Sequence, residues 1–255
     1  MKIKILLAGL SGLAVTAHGW ALEEAVLPQD TWPDVSARSL ALILLTGSAA
    51  WLLATIIRHR YWIVKRTIDV VGATIGLVVT APVLAAAVVA IRTTSRGPAV
   101  FTQERLGRHG KPFRMYKLRT MAVDAERQTG PVWAAADDPR VLRPVGRWLR
   151  KSRFDEIPQL FNVLRGEMSL IGPRPERPEF VARLSQEITD YPKRLAVAPG
   201  ITGLAQVWSK YDETIQDVRR KVKYDLLYIR QMCLTADLGI LLRTVLVVAT
   251  GQGAR

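Results

Sequence analysis

The apolar run from Ile68 to Ile91 limits the architecture of this chain more than any other segment. It is long enough to cross the hydrocarbon core of a bilayer, which takes about 20 apolar residues in a helix. Yet it is basic at both ends, with Lys65 and Arg66 before it and Arg92 and Arg96 after it. Lys and Arg flanks collect on the cytoplasmic side, so both ends are drawn to one face of the membrane. Pro82 stands near the middle, where it removes a backbone hydrogen bond and bends a helix. A re-entrant helix that enters one leaflet, turns at Pro82 and returns satisfies this pattern. A spanning helix with a proline kink is the alternative. Backbone groups freed at a bend need new partners. Ala81 offers none, whereas the Thr80 hydroxyl can bond back to the helix.

Two more apolar stretches precede it. Ile3 to Ala21 follows Lys2 and Lys4 and reads either as a secretory-type signal or as an uncleaved first helix, the latter being preferred. Leu40 to Ile57 is long enough to cross a bilayer. The intervening loop carries Glu23, Glu24, Asp30 and Asp34, and Arg58-His59-Arg60-Tyr61-Trp62 follows the second stretch. Basic residues with interfacial aromatics put that end in the cytoplasm. The expected organisation is a membrane hairpin over 1–60, a re-entrant helix over 61–96 and a cytoplasmic domain over 97–255.

The net charge of +14 is unevenly spread. Before Arg58 there are three Lys/Arg and four Asp/Glu; from Arg58 onward there are 33 and 18. The second part is therefore built to attract anions: nucleic acid, anionic headgroups or phosphorylated small molecules. No aromatic stacking pattern or recognition-helix motif supports nucleic acid. Cys233 is the sole cysteine, so an intrachain disulfide or a cysteine metal site is excluded. His18, His59 and His109 lack metal-ligand spacing, and no Walker phosphate loop occurs.

Within 97–255, Pro98–Thr102 and Phe113–Arg119 read as a small hairpin around Gly110-Lys111-Pro112. Lys117 and Arg119 are two apart and are expected on one face of the second strand. Asp137-Asp138-Pro139-Arg140 reads as a cap leading into a helix over Val145–Arg150 rather than as a metal site. Arg177–Thr189 reads as an amphipathic packing helix. Pro199-Gly200-Ile201-Thr202-Gly203 reads as a tight turn or an anion-approaching loop. Arg219-Arg220-Lys221-x-Lys223 is a basic helical face, either solvated or docked on anionic lipid. Leu238–Ala249 is short for a span and is expected in the interface or against the core.

The densest chemistry lies between Arg150 and Pro175. Asp155 and Glu156 stand among fixed cations, and the run ends in Gly172-Pro173-Arg174-Pro175. Each proline fixes its own φ and restricts the residue before it, so Arg174 is presented in an extended pose. A guanidinium held this way can grip phosphate through two parallel hydrogen bonds. Ser152-x-x-Asp155 with Pro158 also reads as a helix start, in which the two acids only complement the helix dipole.

The ordered motifs Lys65-Arg66-x-x-Asp69, Gln103-Glu104-Arg105-x-Gly107, Lys117-Leu118-Arg119-Thr120-Met121, Asp155-Glu156, Gly172–Pro175, Pro199–Gly203 and Tyr224-Asp225-Leu226-x-Tyr228 resemble the bacterial sugar transferase family. These are monotopic phosphoglycosyl transferases acting on polyprenol phosphate, and the resemblance runs from about Tyr61 to the C-terminus. Two positions depart from the family pattern: Ala81 precedes Pro82 where serine is usual, and Ala198 precedes Pro199 where a basic residue is usual.

The resemblance implies an α/β membrane-associated fold in which a small, mostly helical catalytic domain carries a short β-hairpin and interfacial helices. It implies transfer of a sugar-1-phosphate from a UDP-sugar to undecaprenyl phosphate with release of UMP, beginning a surface glycan such as an exopolysaccharide. Asp155 is then the nucleophile, forming an aspartyl phosphosugar, and Glu156 the ligand of a magnesium ion, Mg2+. Lys117, Arg119, Arg150 and Arg174 bind phosphates, and Pro82 breaks the re-entrant helix. The implied location is the bacterial inner membrane with the catalytic domain on its cytoplasmic face. Glucose, galactose and N-acetylated sugars all remain open as the sugar carried.

Overall fold

The computed structural model describes residues 37–125, 127, 130, 138–209 and 214–250. The apolar stretch Ile3–Ala21, the acidic loop after it and Asp137 lie outside these residues. The chain divides into two units, one up to Leu53 and one over Ala54–Arg255. Of the first, the described part is the start of helix α1, Ala37–Thr94. The second contains the remaining elements.

After α1 come strands β1 (Val100–Leu106) and β2 (Pro112–Leu118), helix α2 (Val145–Ser152), a 3-10 turn over Phe154–Glu156 and helix α3 (Gln159–Arg165). Strand β3 (Ser169–Ile171), helix α4 (Pro178–Glu187), a 3-10 helix over Tyr191–Ala196 and strand β4 (Gly200–Thr202) follow. Helices α5 (Leu204–Trp208), α6 (Ile215–Arg230) and α7 (Leu234–Ala249) complete the order. The described residues are mostly helical, with two small sheets.

The expected hairpin forms. β1 and β2 pair antiparallel with Val100 opposite Leu118 and Leu106 opposite Pro112. β1 extends further than its composition suggests, because Gln103, Glu104 and Arg105 are polar yet continue the ladder. β2 stops at Leu118, so Arg119 lies beyond the strand.

The second sheet is a parallel pair, β3 with β4, and it explains two motifs together. Ser169 aligns with Gly200 and Ile171 with Thr202. Gly172 donates its N–H to the Thr202 carbonyl at 2.9 Å. A Cβ on Gly200 would collide with the Gly172 nitrogen and the Thr202 carbonyl. The glycines of Pro199–Gly203 thus admit another stretch of backbone, a packing role that neither the tight turn nor the anion-approaching loop assigns them. Gly200→Ala is expected to cost at least about 3 kcal/mol, because the obstructing atoms are backbone and cannot rotate away. Thermal unfolding of the purified variant checks this.

The segment Arg60–Thr94 of α1 is long and apolar enough to cross a membrane, and only 11% of its apolar window is buried. Its backbone is helical through Pro82, so the expected turn is not a break in the helix. Pro82 still cannot donate to the Val78 carbonyl. Thr80 Oγ1 donates to the Gly76 carbonyl at 2.6 Å, the back-bonding that tends to bend helices. Both halves of the segment pack on the same body. Ala73 is buried with Phe113, Met115, Val163 and Met168. Ala87 and Ile91 are buried with Ala99, Leu118 and Leu149.

The motif Lys65-Arg66-x-x-Asp69 fastens this helix to four elements. Lys65 Nζ meets Asp237 Oδ2 of α7 at 3.0 Å and the Tyr228 hydroxyl of α6 at 3.2 Å. Arg66 caps the end of α3 through the Val163 and Leu164 carbonyls at 2.6 and 2.8 Å. Asp69 Oδ1 accepts from Ser169 Oγ at 3.0 Å and from the Leu170 amide at 2.9 Å, which holds β3.

Elsewhere α4 is the expected packing helix, burying Phe180, Val181 and Leu184 against Tyr191, Val218 and Val222. α6 begins at a capping box between Thr214 and Asp217. α7 buries Asp237 and Ile240 and exposes Leu238, Leu242, Val245 and Leu246.

Candidate active site

Asp155 and Glu156 do not begin a long helix. Ser152 lies inside the last turn of α2, where its hydroxyl bonds back to the Trp148 carbonyl at 2.8 Å. Arg153 then ends α2 in the left-handed region, at φ 59° and ψ 14°. A non-glycine residue there is uncommon. The reversal feeds one 3-10 turn, Phe154–Glu156, before Pro158 opens α3. The two acids therefore sit on a connector between helices, and the connector turns both side chains inward.

Glu156 is the hub. Its Oε1 accepts from Lys117 Nζ at 3.0 Å and from Arg174 Nη2 at 2.7 Å. Lys117 comes from β2 and Arg174 from the corner after β3, so residues distant in sequence converge here. Burial alone would raise the Glu156 carboxyl, but Arg174 and Lys117 together outweigh it and hold it well below the usual carboxylate range. Its Oε2 has no hydrogen-bond partner among the described residues.

Asp155 behaves oppositely. It is buried, and among the described residues nothing donates a hydrogen bond to its carboxylate. Burial first, and the neighbouring Glu156 charge second, push its carboxyl up to about 6. Lys117, Arg150 and Arg174 pull it down, with less effect. Two adjacent carboxyls whose environments drive their proton affinities apart are a common arrangement at catalytic sites.

The predicted cations separate into two groups. Lys117, Arg150 and Arg174 all act on Asp155 through their charge. The Arg150 guanidinium makes no hydrogen bond or ion pair among the described residues and is available to an anion. Arg119 does not join them. Its Nη1 and Nη2 donate to the Arg96 and Ser95 carbonyls at 2.7 and 2.8 Å, which ties the hairpin to the end of α1. The alternation that paired it with Lys117 stops where β2 ends, so its guanidinium faces backbone carbonyls rather than the Glu156 cluster. Asp138 is no helix cap either. It holds Arg140 through Oδ1 to Nε at 2.8 Å and Oδ2 to Nη2 at 2.6 Å, while α2 starts later at Val145.

Several supporting residues carry no chemistry legible from their spacing. Arg105 joins Glu176 Oε2 and the Pro175 carbonyl, each at 3.2 Å. Arg194 pairs with Asp225 at 2.6 Å. Asn162, fully buried, accepts from the Tyr116 amide at 3.1 Å and donates to the Arg114 carbonyl at 2.7 Å, pinning β2 to α3. The motifs containing Arg105 and Asp225 hint at such residues, but their partners lie 70 and 31 positions away.

The described residues include no group of three side chains able to hold a metal ion. Mg2+ does not require one, because it binds through one or two carboxylates and completes its shell with water and substrate phosphate oxygens. Adjacent Asp155 and Glu156, with Glu156 Oε2 unpartnered, fit that donor set. They do not fit a structural zinc site.

Two adjacent acids of opposite proton affinity, with Lys117, Arg150 and Arg174 acting on Asp155 through their charge, form a clustered polar site in the same unit as the long apolar segment Arg60–Thr94. A family model described as bacterial sugar transferase matches residues 60–251, and the chain belongs to that family. It is 43% identical over 195 residues to the UDP-N-acetylgalactosamine-undecaprenyl-phosphate N-acetylgalactosaminephosphotransferase of Aeromonas hydrophila, covering 76% of this chain and 46% of that protein. It is 46% identical over 185 residues to the UDP-glucose:undecaprenyl-phosphate glucose-1-phosphate transferase of Caulobacter vibrioides, covering 71% of this chain and 68% of the relative. The transferase of the same name from Klebsiella pneumoniae is 40% identical over 183 residues, 71% of this chain and 39% of that protein. The chain thus spans less than half the length of the Aeromonas and Klebsiella relatives.

Proposed function

We propose that this chain is a phosphoglycosyl transferase that moves a sugar-1-phosphate from a UDP-sugar to undecaprenyl phosphate and releases UMP, at the start of exopolysaccharide or other surface-glycan assembly. Family membership and the names of the relatives support the reaction class. The observation that carries the assignment to residues is Asp155: buried, free of hydrogen-bond donors among the described residues and next to a carboxylate that gathers Lys117 and Arg174.

In this reading an Asp155 carboxylate oxygen attacks the sugar-bearing phosphorus of the donor. The bond from that phosphorus to the bridging oxygen breaks, and UMP leaves with the electron pair. An oxygen of the polyprenol phosphate then attacks the same phosphorus, displaces the carboxylate and forms the lipid diphosphate sugar. Dividing the displacement in two avoids direct meeting of two anionic phosphates. Lys117, Arg150 and Arg174 bind and neutralise the donor's diphosphate, where charge builds on the leaving group. Glu156 would hold Mg2+ through its free oxygen. When bound, the ion supplies further charge neutralisation at the phosphates.

A UDP-sugar panel with undecaprenyl phosphate, scored for UMP, tests the reaction. UMP release with at least one sugar is expected. Release of UDP instead would point to direct glycosyl transfer and end the proposal. The relatives named above act on N-acetylgalactosamine and glucose donors, so both belong in the panel.

The acceptor's tail stays in the bilayer, so in this reading the site lies at headgroup level, and the Lys and Arg flanks of the apolar segment assign it to the cytoplasmic face of the inner membrane. A re-entrant course of Arg60–Thr94, bent rather than broken at Pro82, is supported by its two ends. Lys65, Asp69 and Ala73 before Pro82, and Ala87 and Ile91 after it, are all buried against one body. A helix crossing to the far side would carry one half about 30 Å from that body. In a Cys233→Ser background, Arg60→Cys and Ser95→Cys are expected to react with an impermeant thiol reagent from the same side. Labelling from opposite sides would establish a crossing helix.

A further inference from the structure

Pro173-Arg174-Pro175-Glu176 forms the corner that delivers Arg174 to Glu156. Its two prolines have no N–H, so the segment has few means of tying itself together. Each of its four successive carbonyls is instead held by a donor from elsewhere. The Gly200 amide donates to Pro173 at 2.9 Å and the Leu106 amide to Glu176 at 3.0 Å. The two between them take arginine side chains: Arg194 Nη2 donates to the Arg174 carbonyl at 3.1 Å, and Arg105 Nη1 to the Pro175 carbonyl at 3.2 Å.

Arg194 is itself locked in place. Its Nε donates to Asp225 Oδ2 at 2.6 Å and its Nη1 to the Tyr191 hydroxyl at 2.8 Å. The side chains of Arg194 and Asp225 are 10% and 2% exposed. An ion pair this deep is a weak source of stability, since removing two charges from water offsets most of their attraction. What the arrangement does supply is a guanidinium of fixed orientation on the backbone of the residue whose own guanidinium lies 2.7 Å from Glu156.

We infer that Arg194, oriented by Asp225 and Tyr191, is a positioning residue that sets Arg174 against Glu156 and so fixes the charge around Asp155. This rests on the reading of Asp155 and Glu156 as the reaction centre. Lysine at 194 would keep a charge opposite Asp225, but one ammonium on a flexible stem does not reproduce a planar fork held at three acceptors.

The test is a double-mutant cycle of Arg194→Lys and Arg174→Ala in membranes carrying the full chain, with UMP release as the readout. Arg194→Lys alone is expected to lower kcat about 100-fold, the scale of loss when a reacting group is misplaced by an ångström. In the Arg174→Ala background the same change is expected to cost less than about threefold, because the group it positions is gone. Equal losses in both backgrounds would show a merely structural role and overturn the inference. Hydrogen exchange supplies a readout independent of turnover. Arg194→Lys is expected to speed exchange at the Gly200 and Leu106 amides about tenfold, while amides of α6 keep their protection. Unchanged exchange at Gly200 and Leu106 would overturn the inference as well. Absence of UMP release by the unaltered protein with every donor would instead defeat the proposed reaction, and the exchange measurement would still decide the positioning.

Discussion

Asp155→Asn is expected to lower turnover by about 10⁴-fold or more, the scale seen when a covalent nucleophile is removed. It is also expected to abolish UMP release when UDP-sugar is supplied without lipid acceptor. That half-reaction depends on the first displacement alone. Near-normal turnover in the variant would remove Asp155 from the role of nucleophile. Neutral asparagine also separates chemistry from stability. The Asp155 carboxyl is raised in the fold from an ordinary 3.8 to about 6, chiefly by burial and then by Glu156. A group shifted this way favours the fold while it is protonated. Its contribution is complete below about pH 4 and is lost as the pH rises through about 6. The variant is therefore expected to melt higher than the parent at pH 8 and to lose most of that advantage at pH 4. Inactivity with gained stability is the signature of a strained functional group.

Glu156→Gln is expected to lower kcat by about 10²- to 10³-fold, the range for losing one preorganised electrostatic group. The carboxylate gathers Lys117 at 3.0 Å and Arg174 at 2.7 Å, and a neutral amide would release both. A second effect has a definite sign. Asp155 must be ionised to attack, so kcat/KM should climb with pH through an acid limb near 6. Glu156 is one of the two largest causes that raise that value, so its neutralisation should move the limb to lower pH. An unmoved limb would show that the two carboxyls do not act on each other. The Mg2+ concentration giving half-maximal rate should rise in the same variant, since one of at most two carboxylate ligands is lost.

The parts of the fold legible in the sequence are those set by neighbours along the chain. Val145–Ser152 and Pro178–Glu187 form helices where local pattern calls for them, and β1 and β2 pair around the turn that Gly110-Lys111-Pro112 marks. The parallel pair β3 and β4 was not legible, because three-residue strands about 30 positions apart carry no periodicity of their own. Arg119 shows the same boundary from the other side. Its spacing from Lys117 placed both on one face, yet the strand ends between them and the guanidinium turns to the Ser95 and Arg96 carbonyls.

In the candidate site, Asp155 and Glu156 are adjacent by covalent bonds, and the prolines around Arg174 restrict its backbone wherever it lies. Those facts are local, and the sequence determined them alone, as it determined an apolar helix basic at both ends. Which cations meet which acid was decided by the tertiary structure. β2 brings Lys117, the end of α2 brings Arg150 and the corner after β3 brings Arg174, and only their convergence drives Glu156 down while Asp155 goes up. The electrostatic interaction depends on distance through space, and that distance is set by Asn162 together with Arg194, Asp225 and the close approach of Gly172 to Gly200, groups that meet through the fold rather than along the chain.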